Sequence, residues 1–350
     1  MTSIGIVGAG LVGRILAWRL NEHFTQQNQT VKITLVDEKD RNFIGTGLIA
    51  AAMVAPFTEA VNTEAVTQEW GIKSYNLWEK WLPDLEKQTH STIAFNQKGS
   101  LVVAHAPDNA VFQRFHIKAK AVVANDKMQT LTHDDLTTFE PELAHNFSNG
   151  LYFPDEGVID NQALYPALNH YFEQAENITV IENTHIDNLS HTGFIEPLND
   201  SFDTVFDCRG NGAKADLKDF RSIRGEVARV HAPEVNFSHA VRLIHPRYPL
   251  YIAPRKNNEY IIGATQIESD DDSPVTVRSG LELLSALYSL HKGFSEAHIL
   301  DLQVGLRPTF INNQPRVETD NKLIKINGFY RHGYLFIPTF INELIKEKYA

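Results

Sequence analysis

The sequence predicts an α/β protein built in two parts: a parallel sheet that starts at the N-terminus, and an antiparallel β-rich region in the middle of the chain. Three observations carry this. The chain opens on the short apolar run Ser3-Ile4-Gly5-Ile6-Val7, which leads through a glycine-rich turn into residues of helical spacing. A second apolar run, "VKITLVDEKD", ends in Asp37-Glu38. Later segments such as "AVRLIHPRYPLYIAPR" (240–255) alternate as antiparallel strands do.

The first turn reads Gly8-Ala9-Gly10-Leu11-Val12-Gly13, and "RILAWRLNEHF" after it places Ile15, Leu16, Trp18 and Leu20 on one helical face. In a Rossmann-like unit each glycine has a separate task. Gly8 allows the tight turn, Gly10 admits a pyrophosphate close to the backbone, and Gly13 lets helix and strand pack. The helix N-terminus offers free N–H groups and a positive dipole to phosphates. Asp37, with Glu38 beside it, stands where an acid accepts hydrogen bonds from ribose hydroxyls. The gap from Gly13 to Asp37 exceeds the usual ~20 residues, and the polar stretch "NEHFTQQNQT" reads as an insertion between helix and strand. These residues alone leave NAD(P) and FAD both open.

The chain has 350 residues, too many for one small core, and one large or two interleaved domains are expected. Its net charge of −11 argues against nucleic acid, whose phosphates need a basic face. The single cysteine, Cys208, rules out an internal disulfide framework and points to a reducing cytoplasmic setting. The N-terminal run lacks a basic start and is interrupted by Arg14 and Arg19, so it reads as structure and not as a targeting signal. The apolar stretch Gly47 to Phe57 is too short to span a bilayer. The 15 histidines show no HxH or HExxH pair, so no metal is expected. "ESDDDSP" (268–274) reads as a solvated turn before a helix starting near Val275, and "HPR" (245–247) as a loop or strand edge forming a small basic patch with Arg242. In "QVGLRPTF", Arg307 sits among apolar neighbours, where a charge must have a partner.

Ordered blocks then run along the chain. "IGTGLIAAAMVAPF" (44–57) is a small-residue run, suited to backbone that approaches a flat ring. "GLYFPDEGVIDNQALYPAL" (150–168), "FDTVFDCRGNGAKADL" (202–217), "SIRGEVARV" (222–230), "YPLYIAPRKNNEYIIGATQIE" (248–268), "VGLRP" (304–308) and "INGFYRHGYLFIP" (326–338) follow. The ordered set resembles the D-amino-acid oxidase superfamily of FAD-dependent oxidoreductases, and most of all glycine oxidases of the ThiO type. The chain departs from the family pattern at Ala52, where glycine is usual before the methionine, and at Asn161, where proline is common.

The resemblance implies a GR2-type Rossmann-like FAD-binding domain from 1–80, 150–215 and 320–350. A discontinuous antiparallel-sheet α+β substrate domain would comprise 81–149 and 216–319. It implies FAD held without a covalent bond, by Gly8, Gly10, Leu11, Val12, Gly13, Asp37, Glu38, Ala51, Ala52, Met53, Ile186, Gly210, His332, Gly333, Tyr334 and Leu335. It also implies oxidation of an amine next to a carboxylate. Arg307 would clamp that carboxylate as a planar fork. Arg331 and Tyr251 would stand near it, and Gln266 occupies a position where known glycine oxidases carry methionine. Glycine is the implied substrate, with sarcosine or small D-amino acids beside it, oxygen as electron acceptor, and an imine product for thiamine thiazole synthesis. A D-amino-acid dehydrogenase using another acceptor and a non-catalytic flavin-binding protein are the alternatives. A homo-oligomer is left open.

Overall fold

The computed structural model describes residues 1–245 and 250–349. The opening strand Thr2–Val7 is buried from Ile4 onward. It pairs in parallel with Val31–Val36 on one side and Thr204–Asp207 on the other. Ile178–Ile181 and Leu323–Asn327 extend the parallel ladder outward, and Arg316–Asp320 closes one edge antiparallel. Nearly continuous apolar runs are what strands need when both faces are covered. The first helix, Leu11–Gln26, lies on this sheet through Leu11, Ile15, Leu16, Trp18 and Leu20.

The stretch expected as an insertion at 21–30 is largely the end of that helix. Asn21 and Phe24 are buried on it, and the chain turns at Asn28 with φ of 54°. The helix runs two residues past the helical stretch read as far as Phe24, which still finds the core.

A second sheet contains nine strands among the described residues. Its long strands are Phe220–His231 and His298–Phe310, paired antiparallel so that Gly225 faces Gly305 and Ile223 faces Arg307. Glu259–Gly263, Leu250–Pro254 and Ala240–Ile244 continue the sheet antiparallel. The turn at 256–258 places Asn257 and Asn258 at positive φ, as asparagine tolerates. The sheet is mixed and not purely antiparallel: Ala240–Ile244 runs parallel to Ser100–Ala104. Gly150–Phe153 pairs with Ser100–Ala104 in this sheet, while Arg316–Asp320 belongs to the first.

Two further elements set the site between the sheets. A small sheet joins Met53–Val54, Phe95–Asn96 and Gly157–Ile159. The C-terminal helix, Gly333–Tyr349, packs along Val66–Thr89. The helix after the acidic turn spans Val277–Leu290, with the Thr276 side chain accepting from the Ser279 amide. Among the described residues no helix is long and apolar enough to cross a membrane.

Candidate active site

The glycine turn is built as the sequence spacing requires. Gly8 has φ of +105°, and a Cβ there would strike Cys208 backbone at 2.5 Å. A Cβ on Gly13 would stand 1.9 Å from the Gly8 carbonyl, whereas one on Gly10 would meet nothing within 4 Å. Gly10 therefore opens toward free space, and the amides before Arg14 have no intrahelical acceptor. Arg14 Nε donates to the Ala9 carbonyl at 2.6 Å and holds the turn.

Asp37 ends the second strand beside this turn. Its Oδ2 accepts from the Ala9 amide at 2.5 Å and its Oδ1 from the Lys39 amide at 2.8 Å. Glu38 reaches outward instead, to His185 Nδ1 at 2.8 Å. Cys208 is buried among these elements, and burial pushes its thiol well above the usual range.

The small-residue run forms a short helix, Thr46–Ile49, then an extended stretch ending at Met53–Val54. Ala52 sits at φ of 51°, in the left-handed region that favours glycine. Asn161 explains its own departure from proline. It is fully buried, and its Nδ2 lies within 3.0 Å of the carbonyls of Gly47, Leu48 and Ala50. Tyr334 Oη donates to the same Gly47 carbonyl at 2.8 Å, and Arg255 Nη2 to that of Ala51 at 2.7 Å. The loop's carbonyls are thus paid off by side chains from three distant segments.

Arg307 stands across from this loop. Its Nη1 donates to the Thr265 carbonyl at 3.0 Å, and among the described residues it has no ion pair. Burial lowers its pKa, while the Tyr251 and Tyr330 hydroxyls raise it. The strand carrying it is fixed through the Leu306 carbonyl, which accepts from Thr46 Oγ1 at 3.0 Å and Asn211 Nδ2 at 2.8 Å. Tyr251 is half-buried, and desolvation raises its phenol pKa. Gln266 Oε1 accepts from Tyr330 Oη at 3.2 Å.

One group here had no sequence signal. Glu59 carries three partners: Arg242 Nη2 at 2.5 Å, Arg331 Nη2 at 3.0 Å and His332 Nε2 at 2.9 Å. Although desolvation opposes ionisation, Arg331, Arg242 and His332 together hold the Glu59 carboxyl well below the usual range. Arg242 is 6% exposed and belongs to this cluster, so it is not part of a surface basic patch; residues 246–247 of that expectation lie outside the described residues. A lone glutamate in "FTEAVN" has no motif, and its arginine partners come from other strands and turns.

A single cavity of about 950 Å³ runs from the glycine turn past the small-residue loop to Arg307, Tyr251 and Arg331. Every residue expected to touch FAD or substrate lines it except Gly13, whose work is helix–strand packing.

The family model for FAD dependent oxidoreductases, DAO, matches residues 3–341. The chain belongs to this family. Its cofactor is FAD, and the DAO-family residues here fit that group. Gly10 leaves open space in front of unpaired helix amides, a carboxylate ends the second strand, and the cavity is long enough to continue to the second sheet.

A Rhizobium etli protein assigned as the thiamine biosynthesis oxidoreductase ThiO is 32% identical over 97% of this chain and 94% of its own length. A bifunctional ThiO/ThiG protein of Synechocystis is 25% identical over 98% of this chain, which spans about half (51%) of that relative. Among solved structures, glycine oxidase from Geobacillus kaustophilus matches with a TM-score of 0.82 and 20% identity, covering 100% of this chain and 96% of that one. That likeness supports the mixed α/β fold.

Proposed function

We propose that this DAO-family protein is an amino-acid oxidase that converts glycine, and also sarcosine or small D-amino acids, to the imine. The observation that carries the reading is Arg307: a half-buried, desolvated guanidinium with no ion pair among the described residues, in the same cavity as the glycine turn. A desolvated cation without a counter-charge calls for an anion, and an amino-acid carboxylate makes two parallel bonds to the guanidinium fork. When bound, FAD supplies the electron sink for the Cα hydride, with oxygen as final acceptor and hydrogen peroxide as its product.

The protein's part is to bind, orient and exclude water. Arg307 fixes the carboxylate plane and so the direction of Cα. Tyr251, whose raised pKa keeps it a neutral phenol, donates to the same carboxylate or to a water beside it. Gln266 and Tyr330 present a polar wall that favours small side chains. Gly333 opens the C-terminal helix at the cavity, where its dipole stabilises negative charge. Gly210 and Ile186, with the turn and small-residue loop, complete the FAD contacts, and a protonated, buried Cys208 favours non-covalent attachment.

In this reading the first sheet with its helices is the FAD-binding part and the second is the substrate part. The similarity to ThiO proteins supports use of the imine in thiamine thiazole synthesis. The test is anaerobic mixing of flavin-loaded protein with glycine, sarcosine and D-alanine. Bleaching of the flavin is expected, with peroxide formed once air is admitted; no bleaching by any of the three would sink the proposal.

A further inference from the structure

The charges beside Arg307 form a nearly closed set. Glu59 lies between Arg242 and Arg331, at 2.5 and 3.0 Å. On its other side Arg242 also feels the buried Glu156. Glu156 accepts from the amides of Phe57 and Thr58 and from the hydroxyls of Thr58 and Ser100. Burial raises the Glu156 pKa, but four donors and a nearby guanidinium favour its ionised form. His332 is 6% exposed, and burial favours its neutral form. Glu59 is thus seated between Arg242 and Arg331, while Arg307 beside them has no ion pair among the described residues.

Resting on the amino-acid oxidase reading, we propose that Glu59 determines specificity. It occupies the second anion place in the cavity, so that the site takes amines bearing one carboxylate and turns away those bearing two. The first carboxylate goes to Arg307. A second one, reaching toward Arg331 and Arg242, meets the negative charge already seated there and must either face it or displace it. Discrimination by a built-in like charge is a repulsive device, distinct from a better fit to the favoured ligand. Glu59 acts here through Arg331 and Arg242, whose positions it also holds.

Sarcosine and iminodiacetate are the matched probes, because they differ by one carboxylate. In the flavin-loaded wild type, the anaerobic rate of flavin reduction divided by Kd should favour sarcosine by at least about tenfold. Glu59→Gln frees Arg331 and Arg242 and should move that ratio about tenfold toward iminodiacetate. An unchanged ratio in a folded, flavin-loaded variant overturns the proposal. Should the variant fail to hold flavin, the wild type decides by ligand binding, read as perturbation of the flavin spectrum. Acetate binding at least about tenfold more tightly than malonate supports the role of Glu59, and malonate binding as tightly as acetate overturns it. If no amine reduces the wild-type flavin, the oxidase reading fails, while the acetate and malonate comparison still tests Glu59.

Discussion

Gly225 leaves the space that the Arg307 guanidinium fills: a Cβ at that glycine would stand 2.2 Å from Arg307 Cζ. The two residues lie on adjacent antiparallel strands, with Gly225 opposite Gly305. Gly225→Ala must therefore push the guanidinium aside without touching the glycine turn. The expected outcome is a protein that still binds FAD but holds acetate at least about tenfold more weakly, a loss of about 1.4 kcal/mol. Titration of the flavin spectrum with acetate measures it.

Replacing Arg307 itself separates charge from shape. Arg307→Ala removes both charge-assisted bonds, each worth roughly 1.5–3 kcal/mol, so kcat/KM for glycine should fall by a hundredfold or more, on the order of 3 kcal/mol. Arg307→Lys should recover only part of this, since an ammonium is a point charge and cannot make the two parallel bonds. Steady-state peroxide assays on flavin-matched samples decide; equal activity in the alanine variant would refute the carboxylate assignment.

Asn161 is a stability determinant. Its amide serves the carbonyls of Gly47, Leu48 and Ala50 in a fully buried position. Asn161→Ala leaves buried acceptors unpaired and should cost about 2–4 kcal/mol. Urea unfolding followed by tryptophan fluorescence measures the loss. A change under ~0.5 kcal/mol would show that Tyr334 or water replaces the amide.

The His332 imidazole links stability to pH. Burial lowers its folded pKa below the ordinary 6.5, even though Glu59 pulls the other way. The unfolded chain therefore binds the proton first as the solution is acidified. The stability from a neutral His332 is fully present above pH 6.5 and is lost as pH falls toward the folded pKa. The slope contributed by one such group reaches about 1.4 kcal/mol per pH unit. His332→Gln should flatten the fall in unfolding free energy between about pH 7 and pH 5.5 relative to wild type. Other buried histidines, such as His291, titrate the same way in both proteins and cancel in the difference.

Ala52 shows how far a sequence can be read and where reading stops. Alanine in place of the family's usual glycine is visible in the sequence, but its φ of 51° is not. That angle predicts that Ala52→Gly stays within about 1 kcal/mol of wild type, because relief of left-handed strain offsets lost methyl burial and added chain entropy. Ala52→Val, β-branched in the same region, should cost more than about 2 kcal/mol. Thermal unfolding of both variants tests this.

The sequence by itself determined the nucleotide turn and the acid that follows it, and its ordered blocks, through the family resemblance, pointed to Arg307, Tyr251, Gln266 and Gly333, all of which line the cavity. Each of these is encoded by local spacing or by a block of ordered residues, and local geometry follows from such patterns. Only the tertiary structure decided the partners of Glu59, which lie 183 and 273 residues away at Arg242 and His332. The same holds for the three carbonyls gathered by Asn161 and for the parallel pairing of 240–244 with 100–104. Periodicity reports which face a residue turns to the core. It carries no information about which distant charge shares that core, and ion pairing in a buried cavity is settled only when the sheets close over it.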